Sequence, residues 1–414
     1  MTMYWTDPET ARTIVDIAAS LSKLADGMSS DEPMTANYSH TQPTLNSLEE
    51  VLAAVEQVQA KITDLPGHPG DYLRAMLKSF GTLARYMGDE NYNYKDAVRD
   101  ILEVELKEIP QENFDRLAQR IDAKLTEWGY TGTPYEKIAK WQDDKRIPAD
   151  QVIATAERFL DKSRIYASKR VRKLPEGEGI DSVNPIQGVY WSGLSEYIGD
   201  YQGRLTFNID RPWNVPTFAC ILTHEGYPGH HTYYTLWDYL YREGKLPMEA
   251  AYVLINSPIN CLFEGAPEVA IHFLGWDDPR EDTPEITAQE KEEIMVAKDI
   301  MDLQRMYQTN ANYYYNAEGW SKEKVIEYML STGWYSEIEA NNTFRYFSNR
   351  YKAIYYPCYY YGRWIIQAGY EAFPKERREE YFHIIYDIPQ TNSTLIKAVR
   401  EATGKSDFDP FQGI

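Results

Sequence analysis

The sequence predicts a mainly helical protein with one small β region. Most of the 414 residues show helical periodicity of apolar positions, and most periodic segments are bounded by Gly, Pro or Asp. A single stretch alternates β-branched and aromatic residues. A chain of this length buries roughly three quarters of its unfolded surface and needs no disulfides. We therefore expect one continuous body of two lobes, an N-terminal helical lobe over 1–172 and a second lobe over 173–414.

The first lobe is predicted as a succession of helices. Asp7-Pro8-Glu9 is typical of a helix start, and apolar residues follow it at helical spacing. Residues 27–43 are polar and contain Ser and Pro, which indicates a loop. Further helices are predicted over 45–62, 69–88, 92–107, 111–128, 134–145 and 149–171.

The second lobe begins with the β region. Residues 174–188 are rich in Pro, Gly and acidic residues, which predicts a loop. The segments 189–193 (VYWSG) and 196–210 combine β-branched and aromatic residues with glycines, which predicts a strand and a hairpin. From Pro216 the pattern is helical again, with helices predicted over 286–315, 321–331, 335–347, 351–372 and 376–386.

Composition excludes several classes of function. The chain carries 43 basic and 63 acidic residues, a formal net charge of −20, so we expect neither nucleic acid nor a membrane as partner. No run of about 18 apolar residues predicts a membrane span. The first residues lack the basic region of a signal peptide, and three cysteines do not make a disulfide framework. The expected location is therefore the cytoplasm.

The clearest chemical signal lies in residues 223–231, THEGYPGHH. Three of the seven histidines fall within eight residues here, and Glu225 directly follows the first of them. In the zinc-hydrolase pattern HExxH, two histidines at i and i+4 share a helix face and bind one ion. In this chain Pro228 occupies the i+4 position, and the next histidines are His230 at i+6 and His231 at i+7.

Neither of these spacings suits two ligands on a straight helix. Position i+6 is turned by about 240°, and i+7 lies about 10.5 Å further along the axis, whereas each zinc–nitrogen bond is about 2.0–2.1 Å. Pro228 breaks the hydrogen-bond ladder at His224, and Gly229 tolerates unusual dihedrals. We therefore expect a bulge of about two residues, with His224 and His230 as ligands and His231 pointing elsewhere, behind the ligands. Structural histidines beside a kink are the alternative.

A hydrolytic zinc site needs a third protein ligand and an open position for water. Glu264, Glu268 and His272 recur at i, i+4 and i+8, so they line one face of a predicted helix. We expect Glu264 to be the third ligand of one zinc ion and Glu268 to orient a histidine ligand from behind. A solvated helix face is the alternative interpretation of this stripe.

These motifs carry a resemblance to a known family. HEGYPGHH (224–231) resembles the HExxPGHH signature of the bacterial domain of unknown function 885 family, a group of zincin-like metallopeptidases. Glu264-Gly265 resembles the start of that family's second motif, EGWALYAE, although Ala266, Pro267 and Ile271 depart from it. RPWNVP (211–216) and FHIIYDIPQTNSTL (382–395) also look like the family, so the resemblance covers residues from about 180 to the end.

The resemblance implies a gluzincin-type, zincin-like body with a small sheet or hairpin beside the metal helix. It also implies a zinc metallopeptidase that acts on short peptides by Glu-assisted attack of metal-bound water, carboxypeptidase-like or oligopeptidase-like. Glu225 would be the general base. The family has a Tyr-x-x-Gly stretch near this place, which matches Tyr359 and Gly362 and favours Tyr359 as the donor of a hydrogen bond to the oxyanion. Tyr360 and Arg363 are the alternative donors and are also expected to bind substrate. An aromatic core stripe is the competing interpretation of this segment.

Two other functions remain open at this point. The same metal site could hydrolyse a non-peptide amide, or the protein could bind a metal or peptide without turnover, although an intact Glu225 argues against the latter. The predicted hairpin offers a sheet edge that could hold an extended substrate, through VYWSG or GRLTFNI.

Overall fold

Helices make up most of this computed structural model, which describes residues 2–26, 28, 36–189 and 191–412. The mainly helical class is confirmed. The N-terminal helices are α1 (Pro8–Ala25), α2 (Leu48–Ile62), α3 (Gly67–Gly88), α4 (Tyr94–Leu102), α5 (Gln111–Glu127), α6 (Pro134–Asp144) and α7 (Val152–Arg170). The C-terminal helices are α8 (Val215–Glu225), α9 (His230–Arg242), α10 (Asn260–Leu274), α11 (Ala288–Asn316), α12 (Lys322–Ser331), α13 (Glu337–Phe347), α14 (Arg350–Tyr355), α15 (Pro357–Ala372), α16 (Arg378–Asp387) and α17 (Asn392–Thr403).

Local capping explains why many helices begin where the sequence predicts. The Asp7 carboxylate accepts hydrogen bonds from two backbone N–H groups at the start of α1. Thr133, Thr287 and Ser336 each form a complete capping box with a glutamate three residues later. Such caps satisfy N–H groups that a helix leaves without intrahelical partners, so the polar sequence signals fix the boundaries.

Two predicted helices are wrong in extent. The helix predicted over 92–107 ends at Leu102, because Glu103 adopts a left-handed conformation with φ of 56°. The helix predicted over 351–372 is divided into α14 and α15. Pro357 stands at the division and has no N–H with which to continue the helical ladder.

The β structure is more extensive than predicted. Strands β1 (Ala36–Asn37) and β5 (Tyr252–Val253) form a small antiparallel pair, so the described end of the predicted 27–43 loop contains a strand. Residues 27 and 29–35 of that loop lie outside the described part. A second sheet contains β2 (Gly179–Ile186), β3 (Gly193–Gly199) and β4 (Gln202–Asn208) in the order β2-β4-β3.

The predicted loop over 174–188 and the predicted strand over 189–193 are both corrected. β2 lies within that loop and pairs in parallel with β4. Its Pro185 is tolerated because β2 is an edge strand, where a missing N–H costs no ladder bond. Of VYWSG, only Gly193 lies in a strand, and Tyr190 lies outside the described residues.

The predicted hairpin is confirmed as the antiparallel pair of β3 and β4. Asp200 and Tyr201 connect the strands, both with positive φ of 50° and 63°. That conformation belongs to the two-residue turns whose twist matches the twist of the strands. β4 is consequently the central strand, and β3 presents one edge of the sheet.

Hydrogen bonds join the two predicted lobes across residue 172. The Tyr94 hydroxyl donates to the Ala353 carbonyl at 2.7 Å, and the Asn392 amide donates to the Leu102 carbonyl at 2.8 Å. All four of these residues are buried. No helix in the described ranges is long and apolar enough to cross a membrane.

Helices α10 and α15 pack closely against each other. A Cβ atom built on Gly265 would lie 2.2 Å from the carbonyl oxygen of Gly362. Only glycine permits the two backbones to approach so closely. Because α10 carries Glu264 and α15 carries Tyr359, this contact sets the spacing between two walls of the candidate site.

We expect Gly265→Ala to lower the free energy of unfolding by about 1–3 kcal/mol, since the added methyl group must push two backbones apart. Thermal unfolding monitored by circular dichroism measures the effect. The matched control is Gly81→Ala in α3, where the nearest atoms to an added Cβ lie at 3.4 Å. That helical control is expected to be neutral or to stabilise by about 0.5–1 kcal/mol. Equal stability of the two variants would contradict the close contact.

Candidate metal centre

A break between two helices brings the first two candidate ligands together. His224 lies in the last turn of α8, and His230 is the first residue of α9. The expectation of a bulge within one helix is therefore corrected, because the chain ends one helix and starts another. A Cβ on Gly229 would lie 1.8 Å from the carbonyl oxygen of His224, so the chain crosses the end of α8 at a distance that glycine alone permits.

The third candidate ligand comes from α10. His224 Nε2 lies 3.4 Å from Glu264 Oε2, and His230 Nε2 lies 3.5 Å from Glu264 Oε1. Two atoms bound tetrahedrally to one ion, each about 2.1 Å from it, are about 3.4 Å apart. The two imidazole rings are nearly perpendicular, at 81°. One ligand atom from each of the three residues lies within 4.8 Å of the other two, so the group could hold a metal ion.

The polar atoms of this group also fit a metal. Glu264 is 1% exposed, and its Oε2 atom makes no hydrogen bond to any described residue. Leaving such an oxygen buried costs about 1–3 kcal/mol, which a bound cation would offset. Its other oxygen accepts a hydrogen bond from the Tyr355 hydroxyl. Tyr355 thus orients the carboxylate, a role that the sequence did not reveal.

The two histidines have opposite pKa shifts. Burial lowers the pKa of His230 to about 4, so this imidazole is neutral at physiological pH. Burial also lowers the pKa of His224, but the close contact with the Glu264 carboxylate and the charges of nearby glutamates raise it by more, so the net shift is upward. A proton therefore competes with a metal more strongly at His224 than at His230.

Glu268 lies behind His224, at the position expected of an orienting group. Its Oε1 atom is 3.9 Å from His224 Nδ1, longer than a direct hydrogen bond. Lys298 Nζ lies 2.9 Å from the other oxygen, and Arg305 Nη2 lies 3.1 Å from Oε1. Burial raises the pKa of Glu268, but the two cations lower it by more. The carboxylate therefore remains charged beside His224.

His231 points away from the ligands, as the sequence predicts, but it does not support any of them directly. Its Nε2 atom lies 3.3 Å from Glu178 Oε2, to which the Tyr227 hydroxyl donates at 2.8 Å. Arg164 pairs with the other Glu178 oxygen at 2.5 Å. Glu178 precedes β2 in the chain, so this buried network fastens both ends of the α8–α9 break to the sheet.

A cavity of about 280 Å³ opens on the candidate ligands. Glu225 is 8% exposed and lines this cavity together with all three ligands. A Cβ on Gly193 would lie 3.3 Å from Glu225 Cγ, so the edge strand β3 runs directly beside the candidate base. The sheet edge beside the cavity is β3, which shares only Gly193 with VYWSG, whereas GRLTFNI belongs mostly to the central strand β4.

Only one of the three residues predicted on α15 faces the cavity. Tyr359 lines it, with the Arg305 guanidinium 4.0 Å from its ring centroid. Burial raises the pKa of Tyr359 well above its usual value, so its hydroxyl keeps its proton. Tyr360 is turned about 100° around the helix and contacts Tyr361.

Arg363 is also placed outside the cavity. It lies one turn beyond Tyr359 and pairs with Asp302 at 2.8 Å, on the far side of Glu268. The prediction that Tyr360 and Arg363 bind substrate is therefore corrected. Tyr360 is turned away from the cavity by helix rotation. Arg363 lies one turn further along the helix and is held there by its ion pair with Asp302.

The fold resembles that of solved proteins without known function. A structure described as a "putative lipoprotein" from Colwellia psychrerythraea is similar with a TM-score of 0.57 and 15% identity, over 92% of this chain and 69% of the other. A second, described as a "putative lipoprotein of unknown function" from Shewanella oneidensis, gives 0.53 and 12%, over 89% and 76%. No protein-family profile and no curated protein matches the sequence. The likeness concerns the fold alone.

The histidine pair offers a direct mutational test. We expect His230→Ala to reduce the zinc bound per chain at least tenfold, because it removes a ligand. His231→Ala is the matched control; it should retain most of the zinc while lowering the melting temperature, because it leaves Glu178 with one buried partner fewer. The zinc content of both variants is measured by elemental analysis after dialysis against a weak chelator, and their melting temperatures by thermal unfolding. Zinc loss in His231→Ala alone would contradict the assignment.

Proposed function

We propose that this protein is a zinc-dependent peptidase. The observation that carries the proposal is the set of His224, His230 and Glu264, whose ligand atoms lie within 4.8 Å of one another, with Glu225 beside them on the same cavity. Two imidazoles and one carboxylate are typical of catalytic zinc sites, which keep a further position open. The resemblance to the domain of unknown function 885 family supports the same reaction, and with it a zincin-like fold.

In this proposal each residue has a defined task. A bound zinc ion supplies Lewis-acid character and lowers the pKa of water. Glu225 accepts a proton from the attacking water and passes it to the leaving amine. Tyr359 keeps its proton because its pKa is raised, so it can donate a hydrogen bond to the developing oxyanion. Tyr355 holds Glu264 through its hydrogen bond, and the charged Glu268 faces His224.

A peptide fits this cavity better than a small non-peptide amide does. Residues 192–195, at the start of β3, line the cavity beside Glu225. The backbone of an edge strand can pair with an extended peptide and so hold a scissile bond in place. An isolated amide would make no use of that edge. Metal binding without turnover is opposed by the position of Glu225, which has no part in holding the ion.

The size of the cavity limits the substrates. Its volume of about 280 Å³ lies among the helices and accommodates a short peptide segment. Folded proteins cannot present an extended chain to such a site without unfolding. We therefore propose short peptides as substrates. The cytoplasmic location remains a prediction from the sequence.

The proposed reaction is tested by Glu225→Gln. Removing the base while keeping the shape of the side chain should lower kcat at least 10²-fold, because general-base catalysis typically contributes about 10²–10⁴. Zinc content should be unchanged, since Glu225 is not a ligand. Cleavage of a quenched peptide library by the zinc-loaded protein measures the effect.

The matched control is Glu401→Gln, on the exposed face of α17. It changes the net charge equally and should cleave at the wild-type rate. Equal rates for Glu225→Gln and the wild type would remove Glu225 from the reaction. Absence of cleavage by a zinc-loaded wild type across the library would contradict the peptidase itself.

A further inference from the structure

The cavity extends well beyond the metal ligands. Three residues of α8 line it at helical spacing, namely Thr217, Ile221 and His224. His224 follows Thr217 by seven positions, so the cavity follows α8 for about 10.5 Å. An extended peptide rises about 3.3 Å per residue, so that length corresponds to roughly three residues. The candidate metal centre thus lies at one end of this groove.

The far end of the groove is built from the segments before α8 and before β3. Arg211 and Trp213 line the cavity there, just ahead of the first turn of α8. The Asn208 carbonyl accepts a hydrogen bond from the Trp213 indole at 2.9 Å, and the Asn208 amide donates to the Trp191 carbonyl at 3.0 Å. Trp191 also lines the cavity. Asn208 therefore holds both segments together around Arg211.

Two of the described lining residues carry a guanidinium group, Arg211 and Arg305. Arg305 lies at the end near the candidate metal ligands, where it pairs with Glu268 and lies over the Tyr359 ring. Arg211 is only half-buried, yet burial lowers the pKa of its guanidinium, and the charge of Glu339 opposes this shift. The guanidinium lines the same cavity as the candidate ligands, so an anion bound in that cavity lies within its reach.

We propose that Arg211 binds a carboxylate of the peptide substrate, roughly three residues from the bond that is cleaved. The planar guanidinium can engage both oxygens of a carboxylate. A single such group suits a single carboxylate, and the net charge of −20 disfavours polyanions. A C-terminal carboxylate would make the protein a carboxypeptidase that releases short fragments, whereas an acidic side chain would make it a selective endopeptidase. This inference rests on the proposed function.

Binding measured without turnover tests the proposal. The zinc-loaded Glu225→Gln protein is titrated with N-acetylated Ala/Phe tetrapeptides, each made as the free acid and as the amide. A third series carries a glutamate and an amidated C-terminus. We expect the acids or the glutamate amides to bind about 10–100-fold tighter than the neutral amides, as for hydrogen bonds to charged groups. The series that binds more tightly than the neutral amides shows whether the bound carboxylate is at the C-terminus or on a side chain.

Variants of Arg211 complete the test. In the Glu225→Gln background, Arg211→Gln should remove the preference for the carboxylate, and Arg211→Lys should keep part of it because the charge remains. The matched control is Arg280→Gln, which changes the net charge equally on an exposed residue that pairs with Asp278 outside the cavity. Equal binding of all three series, or a preference that survives in Arg211→Gln, would overturn the proposal.

The outcome separates this inference from the proposed function. A wild-type protein that cleaves neutral amides while the three series bind equally would retain the peptidase and reject the role of Arg211. A preference that depends on Arg211, without cleavage of any peptide by the wild type, would retain the carboxylate site and reject the peptidase.

Discussion

The geometry of the candidate site depends on the four residues between α8 and α9. His224 ends one helix and His230 begins the next, so two imidazoles separated by six positions reach one carboxylate on α10. The crossing is possible because Gly229 has no Cβ where the chain meets the carbonyl of His224. Around this crossing, Tyr227 and His231 are held by Glu178, which fastens the break to the sheet.

A second layer of contacts surrounds the candidate ligands and keeps Glu268 charged. Lys298 and Arg305 on α11 stabilise the buried Glu268, which faces His224, and Tyr355 donates to Glu264. Removing one partner of such a buried ionic group typically lowers the free energy of unfolding by about 3–5 kcal/mol. The stability of the core and the shape of the candidate metal centre therefore rest on the same residues.

The sequence predicts features that depend on neighbouring residues, such as helix boundaries, and misses contacts between segments that are far apart in the chain. Helix boundaries follow from caps at Thr133, Thr287 and Ser336, and the ligand residue types follow from their crowding in one segment. β2 was missed because edge strands tolerate the Pro, Gly and acidic residues that usually indicate loops. Glu178 carries no signal in the sequence, because its contacts come from elements that meet only in the fold. The prediction for Arg363 was wrong because helical spacing shows which face of α15 a residue lies on but not how far along the helix the cavity extends.

The central claim is that His224, His230 and Glu264 bind one zinc ion. Anomalous diffraction at the zinc absorption edge, on crystals of the full chain soaked in zinc, tests it most directly. The account predicts one strong peak about 2.0–2.2 Å from Nε2 of both histidines and from a Glu264 oxygen. A zinc-soaked crystal with no peak between these residues, or with its peak at His231 and Glu178, would contradict it.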